Sequence, residues 1–210
     1  MYDVFMKAPI ATWVMFTSIL QVCSFVEYVN TAASLDPIKI TMLITSILFL
    51  WLIAIMVIVR IPPSAKARGL EPRISALAGT FLMYGVALFP RHALSPAAEV
   101  VATLFMMIGS IGAIVALWQL GRSFSVMAES RKLVTTGPYR LVRHPLYVAE
   151  EIAMIGLFMQ FASVWTALLF AAQIAFQLRR MHNEEIVLST AFPEYDAYRL
   201  STARLIPGIY

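Results

Sequence analysis

The polar segment 131–147 interrupts a chain that otherwise consists mostly of apolar stretches. It reads Arg-Lys-Leu-Val-Thr-Thr-Gly-Pro-Tyr-Arg-Leu-Val-Arg-His-Pro-Leu-Tyr. The Gly-Pro pair at 137–138 predicts a turn, because glycine permits unusual dihedrals and proline restricts those that follow. Pro145 suits the first turn of a helix, whose free amide groups attract anions, and Arg143 and His144 come directly before it. Together these groups predict a site for a carboxylate or a phosphate.

Tyr139 and Tyr147 add aromatic surface to the same segment. Each ring offers a flat apolar face with a hydroxyl tip, which suits stacking on a purine. The segment is therefore predicted to hold a charged cofactor at the membrane surface. The alternative is a loop whose cations bind lipid headgroups.

Arg180 and Glu184 form a second polar group at the end of a long apolar stretch. Their i, i+4 spacing places both on one helix face. With Glu185, Glu184 supplies acids that can hold an ammonium group or ribose hydroxyls, or pair with Arg143. The alternative is a surface ion pair of little energetic value.

Glu150 and Glu151 are predicted to lie five or six residues inside a membrane helix. Ionisable residues at that depth are costly, and they usually face a polar cavity and serve function. The alternative is that both stay at headgroup depth. His92 and His182 are isolated, and Cys23 is the single cysteine, so no metal site is predicted.

The composition of the chain is typical of a membrane protein, so membrane helices must position these groups. The chain is 60% hydrophobic and 13% charged, with a mean hydropathy of +0.77, whereas a soluble domain carries about twice that charge fraction. We predict one polytopic membrane domain, 1–210, with no nucleic-acid groove. Residues 1–121 form its four-helix part and 122–210 its cofactor-binding part. The first four apolar spans are 8–26, 40–59, 74–89 and 100–120.

The uncharged stretch Ile152–Leu178 allows two topologies. As one helix of 27 residues it would be roughly 40 Å long, which exceeds a hydrocarbon core of about 30 Å. As a hairpin, residues 145–182 would form two helices with a turn near Gln160–Ser163. The two readings give five and six spans.

The distribution of positive charge favours the hairpin. With six spans, 14 of the 16 Lys and Arg residues lie on one side, and only Lys39 and Arg91 lie on the other. A single helix splits the same residues ten to six. By the positive-inside rule we predict an integral protein of a bacterial inner membrane whose candidate site faces the cytoplasm.

The tail Arg179–Tyr210 is amphipathic, with apolar residues at near-helical spacing among acids. Pro193 interrupts this pattern. We predict two short helices that lie against the membrane face. The whole chain is thus predicted to be an all-α transmembrane bundle with amphipathic C-terminal helices.

Four blocks in this C-terminal part resemble the isoprenylcysteine carboxyl methyltransferase family in type, order and spacing. They cover about the last ninety residues of the chain. The blocks are Leu133–Tyr139, Arg143–Tyr147, Glu184–Glu185 and Leu205–Gly208.

The resemblance implies an integral-membrane methyltransferase that uses S-adenosylmethionine. Arg180 matches the position that this family uses for the substrate, and we assign catalytic roles to Arg180 and Glu184. Glu150 is assigned to the substrate side. The cofactor contacts implied by position are Lys132, Leu133, Val134, Tyr139, His144, Leu146, Tyr147 and Glu184.

Two positions depart from the family pattern. Arg131 replaces a histidine that is common just ahead of Leu133. Ala149 stands where a glycine is frequent, and Glu150 follows it. That acid is similar to one in related membrane reductases, which share a His-Pro-x-Tyr core and use NADPH.

The leading hypothesis is therefore methyl transfer to a lipidic or prenylcysteine-like acceptor, with Arg180 orienting a carboxylate. The alternative enzyme is an NADPH-dependent reductase of a sterol-like or other lipid double bond. A non-enzymatic alternative is a membrane scaffold or transporter. Expected partners are the acceptor and membrane lipids, without metal or nucleic acid.

Overall fold

A computed structural model describes residues 2–32 and 34–208, with side chains from residue 12 onward. Lys7, which the charge count includes, and Tyr210, the end of the predicted tail, lie outside the described side chains. The α-helices are α1 (Tyr2–Thr31), α2 (Pro37–Val59), α3 (Glu71–Phe81), α4 (Pro96–Leu120), α5 (Pro145–Gln160), α6 (Val164–Ala191) and α7 (Tyr195–Ser201). The 3-10 helices are Leu82–Leu88, Gly121–Ser123 and Gly137–Arg140. This architecture confirms the predicted all-α bundle.

Polar caps and prolines define where these helices begin. Asp36 accepts a hydrogen bond from the amide of Ile38 at 2.9 Å at the start of α2. The hydroxyl of Ser163 accepts one from the amide of Thr166 at 3.2 Å at the start of α6. Each cap satisfies an amide that has no partner within its own helix.

Three helices are long and apolar enough to cross a membrane within the described residues, namely Thr12–Thr31, Pro37–Val59 and Pro96–Ser123. The predicted third span, 74–89, is not one continuous α-helix. Instead, α3 ends at Phe81 and a 3-10 helix continues to Leu88. Because a 3-10 helix rises about 2 Å per residue, this composite still covers roughly 30 Å.

The helical hairpin is confirmed. Helix α5 ends at Gln160 and α6 begins at Val164, so the turn lies at 161–163, where the sequence predicted it. The single straight helix was the wrong alternative. Helix α5 has 16 residues and is about 24 Å long.

The tail contains one short helix rather than the two predicted. Helix α6 runs without a break through Arg179 to Ala191, and only α7 is separate. No helix-breaking residue occurs before Pro193, and the Arg180–Glu184 pair supports the continuing helix. The polar C-terminal part of α6 is therefore continuous with its apolar part.

Glycines allow two pairs of helices to pack very closely. A Cβ at Gly109 of α4 would lie 2.4 Å from the amide nitrogen of Ala153 on α5. A Cβ at Gly79 of α3 would lie 3.2 Å from the amide nitrogen of Gln177 on α6. Thus α5 packs mainly on α4, and α6 packs mainly on α3, although α5 and α6 are consecutive in the chain.

Two loops join in a small sheet that the sequence did not reveal. Strand β1 (Ala65–Lys66) pairs antiparallel with β2 (Glu129–Ser130). Strands of two residues are too short to show an alternating pattern. The sheet holds the cationic loop after α2 against the segment that leads to residues 131–147.

Candidate active site

A cavity lies between the segment 120–147 and the end of α6, with α7 at its rim. All eight residues predicted to contact a cofactor line it, which are Lys132, Leu133, Val134, Tyr139, His144, Leu146, Tyr147 and Glu184. Arg180 and Glu150 are outside this lining.

His144 and Tyr147 form one wall at the start of α5. Their rings are stacked, with centroids 5.4 Å apart and planes inclined by 12°. Both side chains are buried. The Tyr147 hydroxyl donates a hydrogen bond to Oε1 of Glu184, which connects α5 to α6 across the cavity.

Arg180 is held by several groups behind this wall. Its Nε donates to Oε1 of Glu184 at 3.2 Å, and its Nη1 donates to the hydroxyl of Thr80 at 2.8 Å. Its guanidinium carbon lies 4.7 Å from the centroid of the Tyr147 ring. The side chain is almost fully buried, at 3% exposure. Arg180 thus contacts two cavity-lining residues without facing the cavity itself.

Three basic side chains surround Glu185 near the C-terminal end of α6, beyond its apolar stretch. Its Oε1 lies 2.9 Å from Nε of Arg143, 3.0 Å from Nε2 of His144 and 3.3 Å from Nε of Arg204. Burial alone would raise the pKa of Glu185. The hydrogen bond and charge of His144, together with Arg143 and Arg204, outweigh burial and lower this pKa to about 2.

Arg143 also connects the C-terminal tail to the segment that lines the cavity. Nη1 of Arg143 donates to the carbonyl oxygens of Arg199 and Thr202, at 2.9 and 2.6 Å. The amide of Arg143 donates to the carbonyl oxygen of Ala203 at 2.8 Å. Arg143 was predicted to help bind an anion, but here it ties three polypeptide segments together.

Two tyrosines of the tail belong to the cavity although no functional role was predicted for them. Tyr195 is 1% exposed, and both Tyr195 and Tyr198 line the cavity. Burial raises the pKa of Tyr198 to about 12, and its hydroxyl donates to the carbonyl oxygen of Tyr139 at 2.5 Å. In the sequence they appeared only as part of an amphipathic pattern.

Arg131 has a structural partner on the cavity side. Its Nη2 donates to Oε2 of Glu129 at 2.6 Å, and its Nη1 donates to the carbonyl oxygen of Ile61. The residue that replaces the family's usual histidine therefore anchors the small sheet. Lys132, in contrast, is an exposed cation at the cavity.

Glu150 and Glu151 extend from α5 toward α6, one helical turn deeper than Tyr147. Oε2 of Glu150 accepts from Nε2 of Gln177 at 3.0 Å. Oε1 of Glu151 accepts from Nε2 of Gln173 at 2.9 Å. The structure therefore places Glu150 beside the cavity wall rather than in it.

The fold defines a polytopic helical membrane protein with this cavity at one end of its hairpin. Residues 101–190 match the model of the isoprenylcysteine carboxyl methyltransferase family. This match confirms the resemblance that the motifs predicted. It also ends before the Leu205–Gly208 block and begins earlier than the motifs did.

Three relatives are similar over about half of the chain. One is the nickel-cobalt-cadmium resistance protein NccN of Alcaligenes xylosoxydans xylosoxydans, 34% identical over 52% of this chain and 53% of the relative. Another is the cobalt-zinc-cadmium resistance protein CzcN of Cupriavidus metallidurans, 31% identical over 52% of each. The third is the protein-S-isoprenylcysteine O-methyltransferase of Schizosaccharomyces pombe, 34% identical over 50% of this chain and 48% of the relative. The chain spans about half the length of the relatives that it matches.

Two of these relatives are named for metal resistance. In the part of this chain that the structure describes, no three His, Cys, Asp or Glu side chains form a group that could hold a metal ion. The cavity is instead lined by aromatic, aliphatic and charged side chains.

Proposed function

We propose that the chain is a membrane methyltransferase that transfers a methyl group from S-adenosylmethionine to a lipidic acceptor. The observation that supports this best is the position of the eight residues named by the family resemblance. They come from two distant parts of the sequence, yet all of them line one cavity. The family match over residues 101–190 supports the same reaction class.

The cavity has the chemical features that this cofactor needs. S-adenosylmethionine carries a purine, a ribose, an amino-acid group and a sulfonium that supplies an activated methyl group. Tyr139 offers a ring for the purine, Lys132 can pair with the carboxylate, and Glu184 can accept from ribose hydroxyls or the ammonium. The task of the protein is then mainly to align donor and acceptor.

NADPH, the cofactor of the alternative reductase, suits the cavity less well. It carries a pyrophosphate and a 2′-phosphate, which require several cations. Arg143 and Arg204 are already paired with Glu185, and Arg131 with Glu129. Only Lys132 is exposed among the cavity-lining cations of the described residues. The small number of unpaired cations in the cavity thus favours a cofactor without phosphate groups.

The contacts that Arg180 already makes affect whether it could bind the predicted carboxylate acceptor. Its guanidinium already contacts Glu184, Thr80 and the Tyr147 ring. A carboxylate acceptor would have to compete with Glu184 for this cation. The carboxylate, and a prenylcysteine-like acceptor in particular, stay predictions. So does the cytoplasmic side of a bacterial inner membrane as the location of the cavity.

Isothermal titration calorimetry on the purified protein in detergent tests the cofactor. We expect saturable binding of S-adenosylmethionine and of its demethylated product, with weak or no binding of NADPH. Binding of NADPH without binding of S-adenosylmethionine would refute the proposal and support the reductase. Incubating membranes with methyl-labelled cofactor then identifies the fraction that receives the label.

A further inference from the structure

Helix α3 supports the polar end of α6, although no described residue of α3 lines the cavity. The side-chain amide of Asn183 on α6 donates to the hydroxyl of Ser75 and to Oε2 of Glu71, both at 3.0 Å. About one turn earlier on α6, Nη1 of Arg180 donates to the hydroxyl oxygen of Thr80 at 2.8 Å. Polar side chains of α3 therefore hold α6 directly behind the cavity wall.

The hydroxyl group of Thr80 can act only as an acceptor toward Arg180. A threonine hydroxyl has one hydrogen to donate and two lone pairs that accept. Thr80 donates its hydrogen to the carbonyl oxygen of Ala76 in its own helix, at 2.7 Å. Its oxygen is thus left to accept from the guanidinium, and hydrogen bonds donated by a cation are stronger than those between neutral groups.

Two hydrogen bonds fix the orientation of the Arg180 guanidinium. This group is planar, and its N–H donors point in fixed directions. Nη1 is held by Thr80, and Nε donates to Oε1 of Glu184 at 3.2 Å. In this orientation the guanidinium carbon lies 4.7 Å from the centroid of the Tyr147 ring. A change at Thr80 would therefore alter how Arg180 meets both Glu184 and Tyr147.

Of these three contacts of Arg180, only Thr80 lies outside the cavity lining. Glu184 and Tyr147 line the cavity and are hydrogen-bonded to each other. A ligand that donates to Glu184 would compete with Arg180 and Tyr147 for the carboxylate oxygens. Because Thr80 is on a different helix and away from the cavity, its hydrogen bond with Arg180 does not depend on the ligand.

We propose that Thr80 is a positioning residue for the cofactor cavity. It holds Arg180, and Arg180 in turn holds the carboxylate of Glu184 and the ring of Tyr147 in place. In this role Arg180 acts from behind the cavity wall and needs no contact with the acceptor. Thr80 lies outside residues 101–190, which match the family. The inference rests on the binding of S-adenosylmethionine that is proposed above.

The test measures the Kd for S-adenosylmethionine by calorimetry on the purified full chain in detergent. Thr80→Val keeps the shape of the side chain but removes the acceptor, and we expect the Kd to rise about fivefold. Thr80→Ser restores the hydroxyl and should bring the Kd back to within about twofold of the wild type. Far-UV circular dichroism shows whether each variant is folded.

Thr103→Val is the matched control. Thr103 is 7% exposed, and its hydroxyl donates to the carbonyl oxygen of Glu99 at 2.8 Å, as the hydroxyl of Thr80 does to Ala76. Within the described residues the Thr103 hydroxyl accepts from no side chain. Thr103→Val should therefore leave the Kd unchanged. A rise in Thr103→Val as large as in Thr80→Val would overturn the inference, because loss of the intrahelical bond alone would then explain both.

A double-mutant cycle tests whether Thr80 acts through Arg180. Adding Thr80→Val to Arg180→Met should not change the Kd further, because the methionine has no donor for Thr80 to hold. The same fivefold rise in both backgrounds, or no rise in Thr80→Val alone, would overturn the inference and leave the proposed cofactor standing. A wild type that binds no S-adenosylmethionine would instead refute the proposed function, and the role of Thr80 with it.

Discussion

Two groups of glutamates on the hairpin have opposite surroundings. Glu185, near the C-terminal end of α6, is within 3.3 Å of a nitrogen from each of three basic side chains. Glu150 and Glu151, near the start of α5, accept hydrogen bonds from glutamine amides and form no salt bridge in the described part of the chain. Arg180 interacts electrostatically with Glu150. The first group is therefore paired directly with cations, and the second is not.

This difference separates a glutamate that connects polypeptide segments from glutamates that have fewer cationic partners. Glu185 is surrounded by cations from the start of α5 and from the tail, so its contacts hold the polypeptide together. Oε2 of Glu151 has no hydrogen-bond partner among the described residues. Glu184 is intermediate, since it pairs with Arg180 and Tyr147 but is 18% exposed at the cavity. Partners, rather than residue type, indicate which role each acid has.

Replacing Glu185 by alanine should cause the largest effect. The substitution leaves Arg143, His144 and Arg204 without their shared anion in a mostly buried setting. Breaking such a pair costs roughly 3–5 kcal/mol of unfolding free energy. The measurement is unfolding of the purified protein by SDS titration, with tail release followed by limited proteolysis.

Arg179→Ala is the matched control for that experiment. Arg179 pairs with Glu71 at 2.7 Å, but both side chains are about half exposed. An exposed pair contributes about 0–1 kcal/mol. A loss for Glu185→Ala no greater than for this control would contradict the structural role of Glu185.

Acid pH should weaken the same cluster. The pKa of Glu185 is about 2 in the folded chain against an ordinary value of 4.5. A depressed pKa stabilises the fold above the unfolded value, and this contribution is lost as pH falls from about 4.5 toward 2. Thermal unfolding in detergent between pH 6 and 3 should show a falling Tm in the wild type. Because Glu185→Gln has no titrating group there, its Tm should fall less over that range.

The sequence predicted the hairpin because it depends on strong local signals, whereas the eight cavity residues were implied by the family resemblance. Clustered cations indicated which loops share a side, and the polar run at Gln160–Ser163 located the turn. The motif residues of 131–147 and Glu184 then had to meet at one end. The hairpin follows from charge and length, which are visible in any single sequence.

The remaining features depend on contacts between distant residues. No local pattern shows that Arg143 donates to the carbonyl oxygens of residues 199 and 202, or that α6 packs on α3 rather than on α5. The continuity of α6 through Arg179 was missed because a change from apolar to amphipathic composition was taken as a helix boundary. Hydropathy changes where a helix leaves the membrane, whether or not the helix ends there.

Glu184→Gln should reduce cofactor affinity with a smaller effect on folding. The amide still accepts the hydrogen bond from the Tyr147 hydroxyl, but it loses the charge that balances Arg180 and would hold an ammonium or ribose hydroxyls. We expect about a tenfold rise in the Kd for S-adenosylmethionine, or about 1.4 kcal/mol. Calorimetry measures this, and Glu194→Gln, at an exposed position, is the control. Equal affinity in both variants would remove Glu184 from the proposed cofactor site.

Glu150→Gln should have the smallest effect on stability and thereby sharpen the comparison with Glu185. Glutamine has the same shape and can still accept from the Gln177 amide, and the substitution removes a charge that forms no salt bridge within the described residues. We expect the unfolding free energy to stay within about 0.5 kcal/mol of the wild type or to rise slightly. SDS titration of this variant beside Glu185→Gln provides the measurement. A loss of about 2 kcal/mol or more for Glu150→Gln would show that its carboxylate is structural, and the two groups of glutamates would then have the same role.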